Sequence, residues 1–454
     1  MSFFYLFWTG VGEYIIFIQS SKSIFMRYLF FLGLLIFTTA LSSQNTFDKE
    51  VEATIKAVEQ DLISWRRHLH AHPELSNREY NTMQYILDVL APLNLSIEKG
   101  AAKTGVIAVL ETGKPGPIIG LRADIDALPV KERVKLSFAS KVETEYEGKT
   151  VGVMHACGHD AHTAILLATA KVLTKHKDKL TGKIVFVFQP AEEGAPVGEQ
   201  GGAELLIKEG LIKKYGIQTM FGLHMTPGLD AGKIQYKAGG TMAAADRLEI
   251  KIKGKQTHGS RPWAGVDPVV VSAQVIMGLQ TIISRQADLT REAAVITIAQ
   301  INGGVRNNII PEEVTLIGTI RTLDADMQRS IHTKIHRTAT NIAESAGATA
   351  EVTITPGYPI TYNDPKLTAQ MIASLETAAG ENNVRVTVAS TGAEDFAFYA
   401  KEVPSFFFFL GGKDPKMSQF DVASSHTPDF YLDESGFVLG VKAFWQLVTD
   451  YGSR

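Results

Sequence analysis

The sequence predicts an α/β fold built on a mainly parallel sheet, and three observations carry that expectation. From about Phe47 onward, helical and strand-like patterns alternate along the chain. The strand-like runs are apolar throughout, as strands covered on both faces are. Acidic and histidine residues collect directly behind those runs, at the carboxyl strand ends where open α/β sheets place ligands.

Taken in order, residues 51–69 carry apolar side chains at helical spacing, and residues 83–90 continue likewise. Residues 106–110 and 118–121 read as buried strands separated by the turn Thr112-Gly113-Lys114-Pro115-Gly116. Residues 164–173 predict a helix and residues 183–189 another buried strand. After a central region of different pattern, residues 364–379 read as a helix. The run Phe406-Phe407-Phe408-Phe409 with its following glycines suits a central buried strand better than a cofactor box.

Composition narrows the class. With 454 residues, 45% hydrophobic and 20% charged, the chain has material for two or three globular domains. The net charge of −3 and the absence of a Lys/Arg block point away from nucleic acid and from an anionic membrane surface, and toward a small-molecule partner.

The N-terminus is read separately. After Lys22 and Arg27 comes the uncharged run 28–41, then the small residues Ser42 and Ser43. A basic start, a short apolar stretch and a small-residue site resemble a secretory signal peptide over residues 1–43, with Met26 as a candidate working start. The run falls short of the roughly 20 apolar residues of a membrane span. The expectation is an exported protein, periplasmic or extracellular, with no membrane segment in its mature form; an uncleaved anchor is the alternative. One cysteine excludes an internal disulfide, so an exported Cys157 is expected to be protected or metal-bound.

The chemistry is densest at Met154-His155-Ala156-Cys157-Gly158-His159-Asp160-Ala161-His162. Thiolate and imidazole together suit zinc or a similar first-row ion. Cys157 and His159 are then loop ligands, and Asp160 caps the helix or orients a ligand. The plainer alternative is a buried cysteine among solvated histidines. Other strand ends tip the balance: residues 118–121 lead to Asp124 and Asp126, 183–189 to Glu192-Glu193, and 221–223 to His224. Of two adjacent glutamates, one can bind metal while the other takes a proton from water, and spacing leaves their order open.

These segments, with Arg66-Arg67-His68-Leu69-His70-Ala71-His72-Pro73-Glu74-Leu75 and Thr257-His258-Gly259-Ser260-Arg261-Pro262, resemble the metal-dependent amidohydrolases related to aminoacylase. The nearest subgroup is that of hippurate hydrolases, N-acyl-amino-acid amidohydrolases and auxin-conjugate (IAA-amino acid) hydrolases. The resemblance runs from about residue 50 to the C-terminus. It implies two divalent ions, manganese or zinc with cobalt or nickel as further options, held by Cys157, His159, Glu193, His224 and His426. It makes Glu192 the general base and counts Asp126 with the catalytic residues. Around His426 the chain departs from the pattern, with Ser425 and Thr427 where relatives commonly carry leucine and serine, though the spacing to Pro428 is kept. Glu394 and Asp395 fall near the site in a supporting role, and His68, His70 and His72 read as helix-end structure.

The resemblance also explains the middle of the chain. Residues 239–356 read as strand, helix, two strands, helix and strand, similar to a split ferredoxin-like unit inserted between catalytic segments 44–238 and 357–454. Such an insert implies a lid and a homodimer interface. His258 then stabilises the oxyanion, reaching across from a neighbouring subunit, while Asn308 and Arg321 grip a substrate carboxylate. The implied reaction is hydrolysis of an N-acyl amino acid to a carboxylic acid and a free amino acid, with a metallo-dipeptidase or carboxypeptidase as the rival.

Overall fold

The computed structural model describes residues 47–454; the signal-peptide reading of residues 1–43 lies outside them. Helix Lys49–Ala71 starts where the Asp48 carboxylate accepts hydrogen bonds from the Glu50 and Val51 amides, and Glu50 and Glu52 complement its positive end. Val51, Ile55, Val58, Leu62 and Leu69 bury one stripe at three-to-four-residue spacing. That stripe packs on helix His159–Lys175, which is buried nearly all round and lies against the sheet.

The large sheet has eight strands in the order Ser96–Ala101, Gly105–Glu111, Lys183–Gln189, Ile118–Asp124, Thr219–Asp230, Ser405–Lys413, Ile234–Tyr236, Val384–Val386. Its central four, 183–189, 118–124, 219–230 and 405–413, are mutually parallel. The four-phenylalanine run is an interior strand, with Phe406, Phe407 and Phe408 fully buried. Antiparallel partners occupy the 96–111 side.

Two strands run further than the sequence suggests. Ile118–Asp124 takes Arg122 and Asp124 into a fully buried stretch, which short-range pattern cannot anticipate for charged residues. His224 sits inside Thr219–Asp230, not at its end, because pairing with 405–413 continues to Lys413. On the other side the 118–124 strand pairs only as far as Gly222, leaving the edge beyond free to meet side chains.

Residues Ala244–Pro356 form a second unit, in which strands 294–303, 313–322, 244–253 and 349–356 lie in that order, all antiparallel. Helices Pro268–Thr281 and Ala325–Ser345 cover one face through Val271, Val275, Leu279, Ile331 and Ile335, over Leu248, Ile250, Leu316 and Ile320. The strand, helix, two strands, helix, strand order is the split unit expected from sequence. Gly239–Met242, read as part of the insert, pairs instead with Thr361–Asn363 and forms a neck to the catalytic unit.

Candidate metal and catalytic site

The metal donors expected from sequence stand on separate elements. Cys157 precedes helix His159–Lys175 and His159 is its first residue. Gly158 between them has φ +99, and a Cβ there would meet Leu432 at 3.0 Å, so glycine alone allows this abrupt entry. Glu193 follows strand 183–189, His224 lies within 219–230, and His426 occupies the loop after 405–413.

Their donor atoms converge. Cys157 Sγ lies 3.4 Å from His224 Nε2 and 3.3 Å from His426 Nε2. Glu193 Oε1 lies 3.2 Å from His426 Nε2 and 4.0 Å from His159 Nε2. Ligand atoms around a tetrahedral zinc, with bonds of about 2.0–2.3 Å, stand about 3.3–3.8 Å apart, which the shorter of these separations match. Among the described residues His159 Nε2 is buried without a hydrogen bond, and such an orphan costs about 1–3 kcal/mol unless a partner is supplied. A divalent cation fits this donor set.

Tautomers agree with that fit. His159 Nδ1 donates to the Asp126 carbonyl at 2.9 Å, and His224 Nδ1 donates to the Met225 carbonyl at 2.7 Å. Each ring therefore turns its Nε2 toward the cluster, where a cation could replace a proton. His162 is excluded as a ligand, because its Nε2 accepts from the Met225 amide at 2.8 Å and its Nδ1 donates to Asp124 at 2.6 Å.

The charges agree as well. Burial opposes ionisation of Cys157, but His224, His159 and His426 outweigh it and hold the thiol well below its usual range. Burial lowers and the Cys157 thiolate raises His224, with the net result pushed up to about 9. Hydrogen bonds that His426 donates to Cys157 and Glu193 push it up to about 10. The cluster attracts positive charge, which protons or cations can supply, so cation binding would displace protons.

Glu192 is buried beside the donors, its Oε2 3.8 Å from His159 Nε2. Burial, then Glu394, Glu193 and Asp395, raise its carboxyl well above the ordinary range, as a proton shuttle working near neutrality requires. Buried Arg122 offsets the surrounding acids, contacting Asp124 at 2.7 Å, Glu394 at 2.9 Å and Asp395 at 2.8 Å. Ala191, with φ 54, and His426, with φ 65, hold left-handed backbone on either side of the cluster. That costs about 1–3 kcal/mol per residue. The Glu79 carboxylate secures the first by accepting from the Ala191 amide at 2.9 Å, and the Ala156 carbonyl secures the second by accepting from the His426 amide at 2.8 Å.

Asp126 occupies a supporting position. Its Oδ1 lies 3.2 Å from His159 Nδ1, and its Oδ2 accepts from Ser76 at 2.6 Å and from the Glu193 amide at 3.0 Å. Asp160, expected at a cap or behind a ligand, is instead a buried partner of Arg66 at 2.9 Å and His70 at 2.7 Å. His70 bridges Asp160 and Glu132, a deeper role than the helix-end one read from sequence. His68 and His72 stack on each other at the helix end.

Three expected site residues stand on the insert and, among the described residues, make no hydrogen bond or ion pair with the cluster. His258 is exposed, and its Nδ1 accepts from the Ser260 amide at 3.0 Å, so a neutral ring carries its proton on Nε2. Asn308 lies beside it, its carbonyl accepting from the Gly259 amide. Arg321 is half-buried on strand 313–322, opposite Ala245 and Val295. Sequence reasoning missed Ser76, Glu79 and Tyr358, whose hydroxyl donates to the Glu192 carbonyl at 2.5 Å. It also passed over Arg122; a lone arginine directly behind an apolar strand was the available signal.

Two cavities flank the donors. One of about 1050 Å³ is bounded by Glu193 and Gly194. Another of about 370 Å³ lies against His224, Met242, Phe409 and Ser425.

Known proteins share this architecture. The profile described as peptidase family M20/M25/M40 matches residues 120–450. The chain is 35% identical to thermostable carboxypeptidase 2 of Saccharolobus solfataricus over 89% of its own length and 99% of the relative's. It is 37% identical to the N-acetyl-L-cysteine deacetylase of Bacillus subtilis over 85% of its length and 86% of that protein's. The crystal structure of Bacillus subtilis YXEP, named a dinuclear metal binding peptidase of the M20 family, superposes with TM-score 0.73 at 34% identity, covering 88% of this chain and 99% of that one. The family match spans most of the catalytic unit and the whole insert, and the chain is a hydrolase belonging to peptidase family M20/M25/M40.

Proposed function

We propose that this protein is a dinuclear-metal amidohydrolase that cleaves N-acyl amino acids to a carboxylic acid and a free amino acid. The observation that carries the reading is the convergence of Cys157, His159, Glu193, His224 and His426 beside the buried carboxyl of Glu192. Names of relatives support the substrate class, among them the N-acetyl-L-cysteine deacetylase. Two divalent cations, manganese or zinc foremost, would be held by those five side chains, with Cys157 common to the two donor groups around His224 and Glu193. When bound they would acidify water and polarise the acyl carbonyl.

The chain's own residues supply the remaining steps. Glu192 accepts the proton of the attacking water and returns it to the leaving amine. His258 offers its Nε2 proton to the developing oxyanion. Arg321, which has no ion pair among the described residues, and Asn308 receive the substrate carboxylate. For His258 and its neighbours to act, the insert must close over the donors of its own or a partner subunit.

We also propose a homodimer through the insert. Strand 294–303 pairs on one side only, with 313–322, and exposes Ile301; helix 268–281 exposes Val269, Val270 and Met277. The helical stretch Pro268–Gln286, which continues that helix, is long and apolar enough to cross a membrane by length and composition, a property equally suited to a protein interface. Export is proposed from the N-terminal sequence alone.

Glu192→Gln tests the mechanism: metal content is expected to stay at the parent level while kcat falls about 10²–10⁴-fold. Turnover near the parent rate would remove Glu192 as the base. The carboxypeptidase relative supplies the competing reading, and N-acetyl, N-benzoyl and dipeptide substrates assayed side by side separate the two.

A further inference from the structure

We infer that Tyr358 is a positioning residue: its hydroxyl fixes the peptide group between Glu192 and Glu193, so that the aim of the general base depends on where the insert stands. The inference rests on the function proposed above and adds to it a residue placed at the joint between the two units.

The segment Pro190-Ala191-Glu192-Glu193-Gly194 needs outside anchors, since Ala191 has φ 54 and Gly194 has φ 104. Among the described residues the Glu192 carboxyl accepts one hydrogen bond, a long one of 3.5 Å from the Asp395 amide, so its backbone sets its direction. Three groups hold that backbone. Glu79 accepts from the Ala191 amide at 2.9 Å, Asp126 accepts from the Glu193 amide at 3.0 Å, and the Tyr358 hydroxyl donates to the Glu192 carbonyl at 2.5 Å. The last two grip opposite ends of one peptide group, which carries the base on one side and a metal donor on the other. Rotation of that group would swing both carboxylates.

Glu79 and Asp126 belong to the catalytic unit, whereas Tyr358 lies on the connection back from the insert, between strands Thr349–Pro356 and Thr361–Asn363. Its backbone extends the insert's ladder: Pro356 stands opposite Asp246, and the Tyr358 carbonyl accepts from the Ala245 amide at 3.0 Å. Gly357 permits this approach, because a Cβ there would meet the Ala245 carbonyl oxygen at 2.3 Å. Ala245 in turn stands opposite Arg321, the residue proposed to receive the substrate carboxylate. A contiguous path thus runs from that carboxylate through Arg321, Ala245 and Tyr358 to the base. Packing against Phe398, with ring centroids 6.2 Å apart, accounts for the tyrosine ring but not for its hydroxyl. Burial, then Asp395, Glu192 and Asp126, push that hydroxyl well above its usual range, which keeps it a donor.

Tyr358→Phe keeps the ring and deletes the donor. In the metal-loaded full chain, kcat on an N-acyl amino acid is expected to fall about tenfold, with KM, metal content and melting temperature near the parent's. An unchanged kcat would overturn the inference, as would a loss matched by metal content or melting temperature, the mark of a merely structural hydroxyl. Coupling to the insert is read from hydrogen exchange of residues 190–194 with and without a non-hydrolysable N-acyl amino acid analogue. The analogue should slow exchange about tenfold in the parent and much less in the variant; equal slowing in both would also overturn the inference. If the parent neither cleaves nor binds N-acyl amino acids, the amidohydrolase reading fails, and Tyr358 is judged on the ligand-free proteins. Faster exchange of 190–194 in the variant than in the parent then sustains the anchor, and equal rates reject it.

Discussion

A lone pair left without a partner is the smallest unit of function in this protein. His159 and His224 each spend one ring nitrogen on a backbone carbonyl and keep the other for the cluster, so the carbonyls choose the tautomer. Asp126 enforces this for His159 and also holds the Glu193 amide. Replacing Asp126 with Ala is expected to weaken metal affinity about 10–100-fold with the fold retained, as titration of the apo protein with zinc or manganese would measure; unchanged affinity would reduce Asp126 to a packing residue. Glu79 provides a pH signature. Burial and the nearby Asp126 push its carboxyl up to about 8, against 4.5 unperturbed. The folded protein thus holds a proton that the unfolded chain has lost, and stability must fall as pH rises from about 4.5 to about 8, by at most roughly 1.4 kcal/mol per pH unit. Glu79→Gln keeps a neutral side chain there, so its melting temperature should gain on the parent's between pH 5 and pH 8. A constant offset across that range would show that Glu79 does not titrate there.

At the scale of elements, the parallel strands carry the site to one rim while the insert carries its own core. Strands 118–124, 183–189 and 219–230 bring Asp124, the Glu192-Glu193 loop and His224 together because the parallel register sets the carboxyl ends of the first two level with His224 in the middle of the third. The insert's exposed apolar side chains lie on elements with unpartnered faces, Val270 and Met277 on helix 268–281 and Ile301 on strand 294–303. The double replacement Val270→Asp with Met277→Asp is expected to convert dimer to monomer in sedimentation velocity without loss of helical signal. Both side chains are exposed, so folding itself should not suffer. A parent that is already monomeric would remove the dimer proposal.

At the scale of the whole molecule, two units fold around different cores and join through a narrow neck. The neck is the pairing of 239–242 with 361–363, beside which the Tyr358 carbonyl accepts from the Ala245 amide while its hydroxyl reaches the Glu192 carbonyl. His258, Asn308 and Arg321 stand on one side of this neck and the metal donors on the other. A substrate gripped by both must draw the units together. Small-angle scattering of the metal-loaded protein should therefore show a smaller radius of gyration when a non-hydrolysable N-acyl amino acid analogue is bound. An unchanged curve at saturation would mean that the carboxylate is bound without closure.

Much of this was legible in the residues themselves. Apolar runs marked the buried strands, three-to-four spacing marked the helices, and the crowding of cysteine, histidine and acid behind those runs marked the site, because periodicity and ligand chemistry are local properties. What the local pattern left open were relations between distant residues. Glu192 and Glu193 were interchangeable on spacing alone, and their roles came from resemblance; in the fold Glu193 meets His426 and Glu192 lies among Glu394 and Asp395. His159 was read as a ligand and His162 was not, and the fold supplies the reason: beyond Gly222, where the 118–124 strand no longer pairs, the Met225 amide occupies the His162 ring. Arg122 was passed over, although Asp124, Glu394 and Asp395 meet its charge and Gln189 accepts from it. The sequence by itself determined which elements form and which chemistry they carry; only the tertiary structure decided which lone pairs stay free, since that depends on hydrogen-bond partners far away along the chain.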